Sequence, residues 1–438
     1  MRDLDSAPES PSAHWSNYAR ILDREPLRSK TFDALDFAAM EAVATFHRGG
    51  RPCRVNKSIY AYGGDNLVLE ILFDDQMVWM VRLRLHERKF LRPRGDVDKI
   101  FVTEVATLRF LKEKTNIPVP TVFVFDAHYQ NEVGQPYMMM EAMPGKRLWG
   151  GPQTDYISDQ YKAQVYQQFE DMLLELYSHP FDEIGMLWPQ DETDPPQESV
   201  RVGPIVYQHA RIQDFGPFAD SLCFYQTRNQ LLLEYYRRRK QSNSTEEPDF
   251  DAIESSTFKR AAIPYIAEHS TSRGPFFLAH PDFQVQRLLN ILMSMQITNC
   301  LFDDNYNITA VLDWTGCQIL PFESFAFPPM KVVPYDDKFL VHQFGQTLRQ
   351  ERRIDWSGYR TLFLRVMEER QMAWMKENGT RRSIASMMQS PRSYFAHILN
   401  WEGIVGFNSF LPRTEFLDWV DLPSLDGESL FLSSRLRS

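Results

Sequence analysis

Strand signals and helix signals are segregated along this chain, and that segregation constrains its fold more than any other feature. SIYAY (58–62), the turn GGDN (63–66), LVLEILF (67–73), a DDQ turn and MVWMVRLRL (77–85) read as three consecutive strands, the last two a hairpin. VDKIFVTEVATLRFLKEKT (97–115) has helical periodicity and stops before IPVP, and TVFVFDAHY and PYMMMEAMPG read as two further strands. Five strands and one helix in about 90 residues predict a small α+β lobe. A helix precedes it, with Phe32, Leu35, Ala38, Ala42 and Phe46 recurring at helical spacing. After Gly145 the character changes: DQYKAQVYQQFEDMLLELYSH, SLCFYQTRNQLLLEYYRRRKQ, FKRAAIPYIAEHST and stretches near 337–378 and 382–400 are helical, around a strand-rich interlude at 276–314. The expected fold class is α+β, a small antiparallel-sheet N-lobe and a larger helical C-lobe. Its predicted boundaries are 1–55 for an N-terminal arm and helix, 56–140 for the N-lobe, and 141–438 for the C-lobe with a distinct loop region at 278–316.

Composition narrows the partners. The 438 residues are 43% apolar and 24% charged, as in soluble globular proteins. A net charge of -10 argues against a binder of nucleic-acid backbones. Four cysteines without C-x-x-C spacing favour reduced thiols over disulfides or a zinc site. The opening MRDLDSAPESPSAHW lacks the apolar core of a secretory signal. The most apolar run, 288–302, is too short and too polar to span a bilayer. A cytoplasmic protein with a small-molecule substrate, no nucleic acid and no membrane partner is the expectation.

The chemistry concentrates in His280-Pro281-Asp282, then Asn299, then ITAVLDW ending in Asp313-Trp314. Phosphoryl transfer needs one carboxylate to orient or deprotonate the attacking hydroxyl. It also needs an amide oxygen and a second carboxylate to hold Mg²⁺ on the β/γ-phosphates. NCLF, the turn DDNYN and ITAVLDW form a predicted hairpin with fourteen positions from Asn299 to Asp313. With IPVPTVFVFD, PYMMMEAMPG and LDWTGCQILPFESFA, residues about 56–330 resemble the phosphotransferase family that includes aminoglycoside kinases and choline kinases, its fungal branch in particular. The resemblance implies a protein-kinase-like two-lobed fold and an ATP-dependent kinase acting on a hydroxyl group of a small molecule. It implies Asp282 as catalytic base, Asn299 and Asp313 as Mg²⁺ ligands, and ATP and Mg²⁺ as cofactors.

One departure stands out. The family pattern H-x-D-x-x-x-x-N puts the asparagine where Arg287 stands, and removing RLLNILMSMQIT (287–298) restores it. The segment reads as inserted: a retained intron, a real insertion that destroys metal binding, or a real one that loops out and leaves Asn299 in place. The alternative function is therefore a catalytically impaired kinase-like protein serving as a nucleotide-binding or scaffolding module.

The resemblance also assigns the upstream lobe. Arg82 and Arg84 share one face of their strand, opposite Val81, Leu83 and Leu85. Aligned on W-x-V-R, Arg82 takes the family's phosphate-pairing position and Glu104 is its helix partner; the alternative is a solvated strand face carrying both arginines. Gly63 and Gly64 permit positive φ and close backbone approach, in the position of a phosphate-covering loop. Backbone groups of Glu141 and Met143 would meet the adenine edge. Met138 to Met140 either line a purine pocket or form a core strand. Trp149, Trp188, Asp155 and Glu323 either line a pocket for a cationic substrate or serve core and surface.

Overall fold

The computed structural model describes residues 32–62, 66–84, 95–146, 159–190, 199–206, 213–242, 250–267, 272–280, 299–327, 356–379, 381–400 and 420. They divide into two compact units. The first lies within Met1–Trp149, Met186–Phe215 and Ile297–Cys317; the second lies within Gly150–Gly185, Gly216–Gln296 and Gln318–Ser438.

The first unit is built on an antiparallel sheet of β1 (Cys53–Tyr62), β2 (Asn66–Phe73), β3 (Val78–Arg84), β4 (Val122–Asp126) and β5 (Tyr137–Glu141), in the order β1-β2-β3-β5-β4. Helix α1 (Phe37–His47) starts where the Asp36 carboxylate accepts from the Ala39 amide at 2.9 Å. Met40 and Ala44 of α1 join Leu67, Leu69, Ile71, Trp79, Val81 and Leu83 in one buried cluster on one face of the sheet. Each such large side chain contributes about 1.5–3 kcal/mol on burial. Helix α2 (Lys99–Lys114) follows β3, capped by Asp98, whose Oδ1 accepts from the amides of Ile100 and Phe101 at 3.1 Å. The α+β class, the five strands and the intervening helix are those the sequence predicts, and this order of elements is that of the small lobe of a protein-kinase-like fold. The hairpin β7 (Met186–Pro189) and β8 (Val200–Gly203), against which α2 packs, is an addition the sequence pattern did not indicate.

The hairpin β10 (Cys300–Phe302) and β11 (Ile308–Val311) also belongs to this unit. Its turn is closed by Asp303, whose carboxylate accepts from the amides of Asn305 and Asn307 and from the Asn307 side chain at 2.8–2.9 Å. Lys146 and Phe302 exchange two backbone bonds of 2.9 and 2.8 Å, and the Val311 amide donates to the Pro118 carbonyl at 2.8 Å. The segment after β5 thus lies along the hairpin, and Gly145, at φ +106°, is what permits the approach. A Cβ there would stand 2.2 Å from Thr309 Oγ1 and 2.9 Å from the Phe302 carbonyl.

The second unit is mainly helical. It holds α3 (Asp159–Tyr177), α4 (Ser221–Ser242), α5 (Phe250–Ile266), a short α6 (Phe322–Phe325), α7 (Trp356–Asn378), α8 (Ile384–Gln389) and α9 (Pro391–Asn400). A small sheet of β6 (Pro180–Phe181), β9 (Phe276–Ala279) and β12 (Gln318–Leu320) runs among them in the order β12-β9-β6. Tyr177 at the end of α3 packs its ring against Phe277, Phe322, Phe325 and Trp374.

Candidate active site

Alternation along β3 sends Trp79, Val81 and Leu83 into the apolar cluster and leaves Val78, Met80, Arg82 and Arg84 on the other face. Both faces of β3 are buried, so both arginines must find partners. Both find them on or beside α2. Arg84 Nε meets Asp98 Oδ2 at 3.0 Å, and Arg82 Nη1 meets Glu104 Oε1 at 2.5 Å. The expected Arg82–Glu104 ion pair is therefore formed, and the solvated-face alternative does not apply to either arginine.

The fork of Arg82 has a second prong. Its Nη2 donates to Asp313 Oδ1 at 2.9 Å and to Thr315 Oγ1 at 2.8 Å. The Thr315 hydroxyl also lies 2.8 Å from Glu104 Oε2 and 2.8 Å from Asp313 Oδ1. Burial works against the Arg82 charge, but Glu104 and Asp313 outweigh it and hold the guanidinium above its ordinary pKa. Burial pushes the Glu104 carboxyl up, against the pull of Arg82. Two carboxylates, one cation and one neutral hydroxyl therefore share a single junction, buried at Arg82 and Glu104 and open to solvent at Asp313.

Asp313 reaches that junction because of how β11 ends. Its backbone is left-handed, φ +60°, a conformation that aspartate tolerates better than most residues. The next residue, Trp314, is fully buried and its Nε1 donates to the Val311 carbonyl at 3.1 Å, which anchors the turn. The Asp313 side chain stays 45% exposed. Asn299 lies across the same hairpin: the Leu312 amide donates to its carbonyl at 2.6 Å, just beyond the Cys300–Val311 pair. The backbone of Asn299, an amide residue, is thus paired with Leu312, the residue before the Asp313 carboxylate. Such hard oxygen donors suit Mg²⁺, which typically takes one or two protein ligands and fills its octahedron with water and phosphate oxygens. Among the described residues, no group of three or more His, Cys, Asp or Glu side chains is placed to hold a metal ion by itself.

Glu141 closes β5. Its amide donates to the Thr121 carbonyl at 2.8 Å, and its Oε2 accepts from Thr121 Oγ1 at 2.8 Å and from Lys112 Nζ at 3.1 Å. Burial pushes its carboxyl up, but the Thr121 and Lys112 bonds outweigh that and leave it below the usual carboxylate value. Met143 is buried two residues on. Val78, Met80 and Ala142 form a second apolar cluster, with Val68, Leu72 and Met140 against it. Met80 is two residues from Arg82 on the same strand face, about 7 Å along β3. Met139 faces the opposite cluster, so the methionine run divides between core and this surface.

Gly63, Gly64, Asp282, Trp149, Asp155 and the whole segment 287–298 lie outside the described residues. His280, at the end of β9, is fully buried. Trp188 donates to the Pro204 carbonyl at 2.9 Å. Glu323 is buried and accepts from the Tyr225 hydroxyl at 3.2 Å. Both serve the packing of their own units. Two members of the site were missed in sequence: Thr315, two residues past Asp313, and Asp98, which fixes both Arg84 and the start of α2. An acidic residue just ahead of a helical run was a legible cap signal for Asp98.

The chain matches no known family model. It is 30% identical over 111 residues to a subtelomeric hrmA-associated cluster protein of Aspergillus fumigatus, covering 24% of this chain and 21% of that one. It is 33% identical over 101 residues to altered inheritance of mitochondria protein 9, mitochondrial, of Candida tropicalis, covering 21% and 16%. The chain thus spans about a fifth of the length of the curated relatives it matches. Among solved structures it is similar to macrolide 2'-phosphotransferase type I (14% identity, 89% of this chain and 97% of that one, TM-score 0.42). It is also similar to macrolide 2'-phosphotransferase MphH from Brachybacterium faecium (15%, 82% and 90%, TM-score 0.38). A third is a thermostable mutant of aminoglycoside phosphotransferase APH(4)-Ia in a ternary complex with ADP and hygromycin B (11%, 91% and 97%, TM-score 0.40).

Proposed function

We propose that this chain is an ATP-dependent phosphotransferase that moves the γ-phosphoryl group to a hydroxyl of a small molecule. The observation that carries the reading is the buried Arg82 fork divided between Glu104 and Asp313. A strand cation fixed by a helix carboxylate beside a half-exposed carboxylate at a strand end is what phosphate and metal binding require in a kinase-like lobe. In this reading Arg82 pairs with the α/β-phosphates and Glu104 holds it in place. Gly63 and Gly64 cover the phosphates. Backbone groups of Glu141 and Met143 meet the adenine edge, and Val68, Met80 and Met140 offer it an apolar surface. Asn299 and Asp313 would hold Mg²⁺, which would supply neutralisation of phosphate charge when bound. The acceptor oxygen attacks the γ-phosphorus and passes its proton to Asp282, and ADP departs with the electrons of the broken P–O bond.

The free thiols of Cys53, Cys223, Cys300 and Cys317 fit a reducing compartment, which we read as the cytoplasm. Among the described residues no helix is long and apolar enough to cross a membrane. Thermal melts with and without Mg-ATP test the reading. A ligand at a hundred times its dissociation constant adds about 2.7 kcal/mol to the stability of the form that binds it. A clear rise in melting temperature with Mg-ATP is the expected result. No rise at millimolar nucleotide would contradict a nucleotide-dependent function.

A further inference from the structure

The Thr315 hydroxyl occupies a position that the roles given above leave unused. It accepts from Arg82 Nη2 and stands 2.8 Å from one oxygen of each carboxylate, Glu104 Oε2 and Asp313 Oδ1. A hydroxyl carries one proton, so it donates to one of these two oxygens at a time. Arg82 is shared in the same way, with Nη1 on Glu104 and Nη2 on Asp313 and Thr315.

We infer that Thr315 is a positioning residue for Asp313, holding that carboxylate for a divalent cation when phosphate oxygens claim the second prong of Arg82. The inference rests on the phosphotransferase reading. In the arrangement seen here Asp313 leans on a cation, Arg82, and a carboxylate so engaged is a poor partner for a second cation. Once Arg82 Nη2 turns to a phosphate, Asp313 loses that charged donor. Thr315 is two residues away on the same anchored turn and replaces it with a neutral one. A neutral donor fixes the carboxylate without opposing the metal, the usual task of groups behind a metal ligand. When Asp313 is with the arginine, the same hydroxyl accepts from Arg82 and donates to Glu104 Oε2, so its one proton serves the two states in turn.

The test compares Thr315→Val, which keeps the shape and removes the hydroxyl, with Thr315→Ser, which keeps the hydroxyl. Each full-length protein is titrated calorimetrically with ATP in EDTA and with ATP in excess Mg²⁺. Thr315→Val is expected to lose on the order of tenfold to a hundredfold in Mg-ATP affinity. Its affinity for metal-free ATP should stay within about twofold of wild type, and Thr315→Ser should match wild type in both. If Thr315→Val melts far below wild type, Thr315→Ala takes its place in the same comparison. Wild-type Mg-ATP affinity in the valine or alanine variant overturns the role of Thr315 alone, and so does an equal loss with and without metal. A wild-type protein that binds no nucleotide overturns the phosphotransferase reading and this inference with it.

Discussion

Arg82 Nη2 and Asp313 Oδ1 meet at 2.9 Å although 231 positions separate the two residues. Two sets of backbone bonds bring them together. The Lys146–Phe302 exchange and the Val311–Pro118 bond hold the β10–β11 hairpin to the segments that flank β4 and β5. The hairpin therefore arrives with the sheet unit, and its last residue reaches the cation that β3 presents.

Burial, not distance, should set the worth of the ion pairs in this unit. Arg82–Glu104 and Lys146–Asp304 both close to 2.5 Å, but the second is 49% and 87% exposed while the first is buried. Arg82→Met strands a buried carboxylate and should cost about 3–5 kcal/mol. Lys146→Met should cost under about 1 kcal/mol. Arg82→Met combined with Glu104→Leu should recover much of the loss, because the buried carboxylate goes with its cation and Asp313 remains half exposed to water. Urea denaturation of the four proteins checks this, and similar costs for the two single variants would contradict it.

Gly145→Ala should loosen the hairpin from the strand that precedes it. The new methyl group would overlap Thr309 Oγ1, which donates to the Pro144 carbonyl at 2.6 Å, at a φ of +106° that L residues avoid. Backbone incompatibility of this kind costs on the order of 2 kcal/mol or more. The expected outcome is a lower denaturation midpoint together with faster amide exchange at Phe302 and Lys146. Unchanged exchange there would separate the hairpin from Gly145.

Glu170 of α3 should make stability fall as pH rises. Both its carboxylate oxygens are buried with no hydrogen-bond partner among the described residues. Burial pushes its pKa from 4.5 up to about 9; Asp171 and Glu369 add to the rise and Arg370 opposes it. The folded protein keeps this proton between those two values and the unfolded chain releases it. The contribution is therefore complete below about pH 4.5 and is lost as pH rises toward 9. Glu170→Gln removes the proton exchange. From about pH 5 to 8 the variant should gain about 2–4 kcal/mol relative to wild type. Parallel stability curves would show that Glu170 is ionised in the folded state.

The β1–β5 sheet and α2 were legible because their segments are long enough for a period of 2 or 3.6 to stand out, and because turn residues punctuate them. The β7–β8 hairpin was not, since strands of four residues separated by a polar, proline-bearing stretch carry no period. In the site, Arg82 and Glu104 were readable from strand phase and helix position. The Asp313–Arg82 contact and the bridge made by Thr315 were not. They depend on which strand edge the hairpin joins, and hydrophobic periodicity is silent about backbone bonds between residues as distant as Lys146 and Phe302.

RLLNILMSMQIT holds seven large apolar residues in twelve, with no Gly or Pro. Placed in a loop, such a segment exposes apolar surface or forces it into a packed interior, at a cost of about 1–3 kcal/mol. A variant lacking 287–298 should therefore melt above the full chain and bind Mg-ATP more tightly than the full chain does. A full-length chain that melts higher and gains more from nucleotide would make the segment an integral part of the fold.

Isothermal titration with Mg-ATP on the wild-type protein and on Asp313→Ala tests the central claim most directly. Mg²⁺ demands about 2.0–2.1 Å to each ligand oxygen, and a water that took the place of a missing carboxylate would bring no negative charge to that position. The side chain is half exposed and its loss should leave the fold intact, which a melt of the variant checks. At least tenfold weaker Mg-ATP binding by Asp313→Ala, with metal-free ATP binding retained, is the predicted result. Equal Mg-ATP affinities in the two proteins would remove Asp313 from the site and contradict the account.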